Sequence, residues 1–369
     1  MKPRILFVAH LPPPVHGVSM INQWILGSQA LKDSFDFDVV NLTTARTIQD
    51  IGRSGFIKYV KFLIIFSRTF RFLVIHKYSV AYMTISPLGN AFIKDSLLVI
   101  LLRLFRIKVI LHLHGKGIDN FLKKHHAYLS RYYNMIFKGS HVVHLSQLLT
   151  PDIKKIKSYK ALTILNNGIP VEQYKSYPKE KNNKLTVLFL SNLIPSKGGM
   201  TILQSADLLA NQGITNIVYQ FVGEWGDKAY KDEFLDYIAQ HNLANCVELT
   251  GPLHGEEKTT ILHSADIFVL PTYYSNECFP LTLLEAMAAE LPVISTYEGA
   301  IPEIVDEGIT GFLVPAKNHE VLKEKLLELI QSEELRKQFG TAGYAKFLEK
   351  YTFTTFEKNL LSTFKEVMI

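Results

Sequence analysis

The sequence predicts an α/β chain built from two doubly wound, Rossmann-like domains. Three observations carry this. Short apolar runs alternate with helical stretches, the pattern of a parallel sheet with crossover helices. A polar, proline-bearing stretch at 166–184 interrupts that alternation once. The charge also changes sign across the break: residues 1–180 hold 25 Lys and Arg against 9 Asp and Glu, and 181–369 hold 15 against 25. Such asymmetry points to an anionic partner for the first half, whether nucleic acid, anionic membrane or acidic substrate.

A chain of 369 residues has room for two domains of ordinary size. Its composition, 47% apolar and 20% charged, is globular rather than disordered. Cys246 and Cys278 cannot form a disulfide framework and lack metal-ligand spacing, which favours a reducing compartment. The apolar run 5–9 is too short for a signal peptide, and no stretch approaches the ~20 apolar residues of a membrane span. A cytoplasmic protein is expected.

In chain order, 4–9 reads as a strand, followed by a Pro/Gly loop to Gly17 and a helix over 18–31. Strands follow at 39–42, 80–84 and 108–113, with helices at 54–76 and 90–105. Asn166-Asn167-Gly168-Ile169-Pro170 and Pro178 mark the break. A second series places strands at 186–191, 218–222, 247–250, 267–270 and 292–295, with helices between them. Phe353, Phe356, Leu360, Leu361, Phe364 and Val367 line one face of a final helix. The expected domains are 1–175 and 182–350, followed by a helix at 351–369. Ligands of doubly wound sheets bind at the carboxyl ends of the strands, so the expected site lies between the domains.

The segment from Glu277 to Glu285, Glu-Cys-Phe-Pro-Leu-Thr-Leu-Leu-Glu, sets two carboxylates eight positions apart across a turn that opens a helix. A buried-looking strand at 267–270 and Pro271 precede it, and Pro280 suits a helix start. The first amides of such a helix lack internal acceptors, and the helix dipole adds partial positive charge there. A pyrophosphate can therefore rest on the Phe279, Leu281 and Thr282 amides. Glu285, one turn further in, can accept hydrogen bonds from a ribose, while Glu277 faces what hangs off the far phosphate. The bland alternative is a solvated helix face.

This segment resembles the Glu-x7-Glu motif of the retaining glycosyltransferase family 4, the group 1 glycosyltransferases. The resemblance implies the GT-B fold, with a last helix that returns to the first domain. Leu190-Ser191-Asn192-Leu193-Ile194-Pro195-Ser196-Lys197-Gly198-Gly199 looks like the family's strand-loop motif, in which an Arg and a Lys grip the diphosphate. Lys197 matches the Lys, and Asn192 stands where the Arg usually is, so helix amides must supply more of the charge stabilisation. The Pro12–Ser19 stretch is similar to the family's Gly-rich loop, with His16 in place of the first glycine and Gly17 retained. Ile110-Leu111-His112-Leu113-His114-Gly115 matches at His114, the family's active-site histidine; His112 reads as a packed neighbour. The block from Glu298 to Val305 is similar to the one that follows the Glu-x7-Glu helix, with Gly299 and Ala300 bordering the sugar pocket.

The resemblance thus implies a retaining hexosyltransferase with Glu277, His114 and Lys197 at the reacting centre. The donor, most simply a UDP-sugar, is expected on Gly17, Asn192, Lys197, Leu253, Glu277, Cys278, Phe279, Pro280, Leu281, Thr282 and Glu285. The implied acceptor is a glycan on a polyprenyl-diphosphate or other lipid carrier. Two rivals share the plan: a sugar-nucleotide epimerase or phosphorylase, and a non-catalytic nucleotide-sugar-binding protein.

No cofactor or metal is expected. A zinc reading of His112, His114, His141 and His144 lacks convergent carboxylates or thiolates. Asp36-Phe37-Asp38 has the Asp-x-Asp form of a metal–nucleotide site, but at a strand entry, the wrong end, so solvated acids are expected. Residues 53–77 interrupt an apolar, aromatic background with Lys58, Lys61, Arg68 and Arg71, and Lys94, Arg103, Arg106, Lys123, Lys124 and Arg131 extend the field. This suits a helix lying on an anionic membrane surface; the alternative is a core helix with a basic outer face. No nucleic-acid module is present, so attachment to the inner membrane face is expected rather than nucleic-acid binding.

Overall fold

The computed structural model describes residues 2–44, 56–125, 127–174 and 184–369. They form two compact units, Met1–Asn167 with Thr354–Ile369, and Gly168–Phe353. The domain limits 175 and 182 read from the sequence lie outside the described residues, as does Pro178.

The first unit runs β1 (Arg4–Ala9), α1 (Gly17–Gly27), α2 (Gln29–Ser34), β2 (Asp36–Asn41), α3 (Phe56–Ile75), β3 (Val80–Ile85), α4 (Gly89–Leu104), β4 (Val109–Leu113), α5 (Ile118–Lys124), α6 (Ala127–Phe137), β5 (His141–His144) and β6 (Ala161–Ile164). Its six strands are all parallel, in the order β2-β1-β3-β4-β5-β6. The central strands β3 and β4 are buried at every residue, as expected where helices cover both faces of a parallel sheet.

Here the sequence expectation needs four corrections. The helix expected at 18–31 is two helices, because Ser28 leaves helical geometry and its side chain accepts from the Leu31 amide, capping α2. Strand β2 begins at Asp36 rather than 39, so Asp36-Phe37-Asp38 lies within the strand. Asp38 is not simply solvated: its Oδ2 accepts from the Tyr78 hydroxyl at 2.7 Å and lies 3.7 Å from Arg4. Strands β5 and β6 escaped notice because histidines bound the first and a threonine interrupts the second, so neither reads as a continuous apolar run. Residues 54 and 55 of the expected helix 54–76 lie outside the described residues.

The second unit repeats the plan: β7 (Leu185–Leu190), α7 (Gly199–Asn211), β8 (Ile217–Val222), α8 (Lys228–Gln240), β9 (Val247–Gly251), α9 (Gly255–Ser264), β10 (Ile267–Leu270), α10 (Leu281–Ala288), β11 (Val293–Thr296), α11 (Ile301–Ile304), β12 (Gly311–Val314), α12 (His319–Gln331) and α13 (Glu333–Lys350). These six strands are also parallel, ordered β12-β11-β10-β7-β8-β9. The loops after β7 and β10 therefore leave neighbouring strands at the same edge of the sheet. That adjacency builds the site described below.

The last helix, α14 (Phe353–Met368), belongs almost wholly to the first unit. Its buried face carries Phe356, Leu360 and Phe364. The Phe364 ring meets Phe35 and Tyr82 edge-on at 5.6 and 5.7 Å, and Lys108 Nζ donates to the Met368 carbonyl at 3.0 Å. Phe364→Ala should destabilise the first unit by about 3–5 kcal/mol, the usual cost of emptying a buried aromatic site. Denaturant unfolding followed by a first-unit probe measures it, and an unchanged midpoint would contradict this packing role.

Candidate active site

In the second unit, the chain leaving β7 is fixed on both sides. Leu193 N donates to Glu224 O at 2.8 Å and Gly226 N donates to Leu193 O at 3.0 Å, which extends the β7–β8 pairing past the strand ends. On the other side, Tyr273 N donates to Ser196 O at 2.7 Å. A short 3-10 turn over Pro195–Lys197 ends at Gly198, whose φ is +83°. A Cβ there would meet Pro271 O at 2.2 Å, so only glycine fits this crossing.

This zipping of two loops delivers Lys197 to Glu277. Lys197 Nζ lies 2.5 Å from Glu277 Oε2, with side-chain exposures of 15% and 9%. Thr272 Oγ1 donates to the same oxygen at 3.2 Å, and the ammonium lies 5.2 Å from the centre of the Tyr274 ring. Two residues eighty positions apart thus form one charge-compensated unit. Asn192 is exposed at the start of the same loop.

Glu277 sits on a turn closed by its own amide onto Tyr274 O at 2.8 Å. The following segment is held from behind: Ala300 N donates to Cys278 O at 2.8 Å, and Gly299, at φ +59°, leaves a gap that a Cβ would close to 2.3 Å from Glu277 O. Cys278 and Phe279 are buried, and the Phe279 ring packs edge-on against Tyr351 at 5.7 Å. Pro280 occupies the N-cap of α10, so Leu281 and Thr282 are its first two helical residues. Their amides point out of the helix start, whereas Phe279 precedes the cap and is not one of the helix's own first-turn donors. The anion-binding end of α10 is thus narrower than the sequence reading proposed.

One turn into α10, Glu285 is buried. Its Oε1 accepts from Lys258 Nζ at 2.6 Å, and the Tyr174 side chain also hydrogen-bonds the carboxylate. Tyr174 borders this carboxylate, and its phenol is pushed well above the ordinary tyrosine range by burial first and then by the Glu285 charge. Leu253, half-buried, lies in the turn that joins β9 to α9. Sequence reasoning missed Lys258, Thr272 and Tyr174. No local signal marks them: Lys258 follows two glutamates at a helix start and reads as solvated charge.

His114 and Gly17 belong to the first unit. Gly17 opens α1 behind His16, which caps the helix by accepting from Ser19 N at 3.3 Å while Ser19 Oγ accepts from His16 N at 3.0 Å. His114 follows β4, its ring 4.0 Å from that of His112. His112 is packed as expected of a core neighbour: its Nδ1 pairs with the Tyr82 hydroxyl at 2.6 Å. Burial lowers His144 to about 4, and burial aided by neighbouring charges lowers His114 to about 3 (His144, His16 and His10) and His10 to about 4 (His16 and Lys94). These side chains therefore stand as neutral imidazoles at physiological pH. Among the described residues no group of His, Cys, Asp and Glu is placed to hold a metal ion.

A family model described as glycosyl transferases group 1 matches residues 171–346. The chain has the GT-B fold, and its second unit matches the group 1 glycosyltransferases. The fold is supported by a glycosyltransferase structure from Rickettsia africae, with TM-score 0.78 and 17% identity over 100% of this chain and 99% of that one. Anabaena HepE, solved in complex with UDP and glucose, gives TM-score 0.74 at 16% identity over 99% and 100%. In sequence, the amylovoran biosynthesis glycosyltransferase AmsK of Erwinia amylovora is 30% identical over 47% of this chain and 42% of its own length. The chain spans about half the length of the curated relatives it matches.

Two measurements test this geometry. Breaking the buried pair with Lys197→Met should cost about 3–5 kcal/mol by stranding Glu277, and Lys197→Met with Glu277→Gln should recover much of it. Additive losses in a double-mutant cycle would show that the contact is not coupled. Acid should also weaken the first unit. His10, His114 and His144 bind protons near 6.5 when unfolded but only near 3–4 when folded, so the unfolded chain binds more protons between those limits. Stability should be complete above pH 6.5 and decline as pH falls toward 4, less steeply in His114→Asn; a flat profile would contradict the buried neutral imidazoles.

Proposed function

We propose that this protein is a retaining glycosyltransferase that moves a hexose-type residue from a nucleoside diphosphate sugar, most simply a UDP-sugar, to a glycan acceptor. The observation that carries the reading is the Lys197–Glu277 pair beside the first amides of α10. It sets a movable cation, a carboxylate and a helix start within one strand-end edge. The family match over 171–346 and the UDP and glucose bound by the Anabaena neighbour support the donor class.

In this reading the donor diphosphate takes Lys197 from Glu277 and rests on the Leu281 and Thr282 amides, with Gly199 opening α7 nearby in sequence. Glu277, released from the ammonium, accepts hydrogen bonds from sugar hydroxyls, and Glu285 accepts from the ribose. His114 acts as a neutral hydrogen-bonding group at the reacting centre. The bond from the anomeric carbon to the diphosphate oxygen breaks, the acceptor oxygen bonds to the same face, and its proton passes to the departing phosphate. No protein nucleophile and no metal is assigned a step.

Membrane attachment at the cytoplasmic face is part of the proposal. On α3, Val60, Leu63, Ile64 and Val74 are exposed beside Arg68 and Arg71, and Phe70 touches Phe105 at the end of α4 at 5.9 Å. Lys58 has no described side chain, and Arg53 lies outside the described residues. Arg103 leaves the basic field expected from sequence: it donates to the Met135 and Ile136 carbonyls at 2.5 Å and to Ser140 at 3.0 Å, closing the end of α6. Among the described residues no helix is long and apolar enough to cross a membrane. An apolar face with basic flanks instead suits an anionic leaflet, at about 1 kcal/mol per basic residue near the surface. A membrane position would present the protein to polyprenyl-diphosphate-linked or other lipid-linked acceptors.

Acceptor-dependent release of nucleotide from a panel of UDP-, GDP- and ADP-sugars tests the activity, and release without acceptor transfer would favour an epimerase or hydrolase instead. Lys197→Ala and Glu277→Ala should each lower kcat/KM by at least ~2 kcal/mol, the scale of a lost transition-state electrostatic contact. Native turnover in either variant removes that assignment. In flotation with vesicles, the protein should rise with anionic lipid at low salt, and Arg68→Glu with Arg71→Glu should abolish it. Failure of the native protein to float removes the membrane reading.

A further inference from the structure

The backbone that follows His114 is fixed at two points. Gly115 passes Pro87 so closely that a Cβ would fall 2.8 Å from the proline Cγ. Asp152 then accepts from the Gly117, Ile118 and Asp119 amides at 2.9, 3.1 and 3.1 Å. What this leaves open is the His114 ring, because the terminal torsion of a histidine is broad and roughly two-fold. The His112 ring lies against it, with centroids 4.0 Å apart and planes tilted by 40°.

His112 is fixed in turn. Its Nδ1 pairs with the Tyr82 hydroxyl at 2.6 Å. The Tyr82 ring stacks on Phe7 at 4.8 Å and meets Phe364 edge-on at 5.7 Å. Phe7, Tyr82, His112 and Phe364 are all fully buried. A count of donors and acceptors assigns the tautomer. With Tyr82 donating, its own hydrogen and the Nδ1 lone pair are both satisfied, and the imidazole hydrogen stands on Nε2. The reverse assignment would strand the phenolic hydrogen, which has no other acceptor among the described residues. Nε2 of His112 is itself buried without a hydrogen-bond partner among the described residues. A stranded buried donor costs about 1–3 kcal/mol. Phenylalanine and leucine would fill the same space without that cost, so the pair calls for a reason beyond packing.

We propose that Tyr82 and His112 are positioning residues: the Tyr82 hydroxyl locks His112 in one ring flip and one tautomer, and the locked ring holds His114 in a single orientation. This rests on the hydrogen-bonding role given to His114 in the proposed function, and it adds what aims that group. Neither Tyr82 nor His112 touches the reacting atoms in this assignment. Both act through the His114 ring, whose backbone is already held by Pro87 and Asp152.

Histidine side-chain nitrogen spectra of the full chain, combined with turnover, test it. In the native protein His112 should carry its hydrogen on Nε2 alone, and His114 should give one sharp set of signals. Tyr82→Phe removes the hydroxyl and keeps the ring, so His112 should become a mixture of tautomers and the His114 signals should shift or split. The same variant should lower kcat for sugar transfer by about tenfold, the scale of a slightly misplaced group, with the donor KM within about twofold. In a His114→Ala background Tyr82→Phe should change kcat by less than about twofold, because the residue it acts through is gone. His112→Asn keeps an acceptor for the Tyr82 hydroxyl but offers no ring to His114, and it should show the same dependence on His114. Equal losses in both backgrounds would mark a merely structural pair and overturn the proposal. Native turnover, or an unchanged His114 spectrum, in Tyr82→Phe would overturn it as well. Should Tyr82→Phe unfold, as its melting curve would show, His112→Asn is read by the same criteria. If the native chain transfers sugar from no donor, the proposed function fails, and the His112 and His114 spectra alone decide the locking.

Discussion

A half-buried ammonium held against a buried carboxylate organises the second unit. Lys197 and Glu277 are each nearly removed from water, and neither charge is tolerable there alone. The contact therefore needs both loops in register: the turn after β7, locked by Gly198 against Pro271, and the turn after β10, backed by Gly299. Thr272 adds a neutral donor to the same carboxylate oxygen. In the proposed function, the donor diphosphate opens this pair. It can accept the ammonium, and the carboxylate then keeps the threonine hydroxyl and gains sugar hydroxyls. In that exchange neutral hydroxyl donors replace the carboxylate's ionic partner, while Lys197 offsets part of the diphosphate charge.

The two units solve the problem of buried polarity differently. The second balances opposite charges, at Lys197–Glu277 and again at Lys258–Glu285. The first gathers imidazoles near the carboxyl ends of its strands and keeps them neutral by burial. The basic excess of the first unit is thereby not a feature of its interior. Part of it is structural, as Arg103 shows by closing the end of α6, and part lies on α3 among exposed apolar side chains. In the proposed function, the neutral histidines face an acceptor hydroxyl and the surface cations an anionic leaflet.

Much of the fold was legible because parallel strands buried on both faces read as continuous apolar runs. The runs 80–84, 108–113 and 267–270 fall on β3, β4 and β10. The strands β5 and β6 were not legible, since His141 and His144 bound the first and Thr163 interrupts the second, leaving no continuous apolar run. Glu277, Glu285 and Lys197 were singled out by spacing and resemblance. Their pairings were invisible, because contacts between residues 80 and 27 positions apart depend on which strand ends lie side by side. Lys258 shows this limit most clearly: nothing in Gly255-Glu256-Glu257-Lys258 distinguishes it from solvated charge. Ser28 shows the converse, a local hydrogen bond that ends one helix and starts another within an unbroken helical pattern.

The most direct test of the central exchange is a crystal structure of the protein with a bound nucleoside diphosphate sugar. The account predicts that Lys197 Nζ leaves Glu277 for a phosphate oxygen, with the diphosphate against the Leu281 and Thr282 amides. A complex in which the lysine–glutamate contact persists and the nucleotide occupies another part of the chain would contradict it.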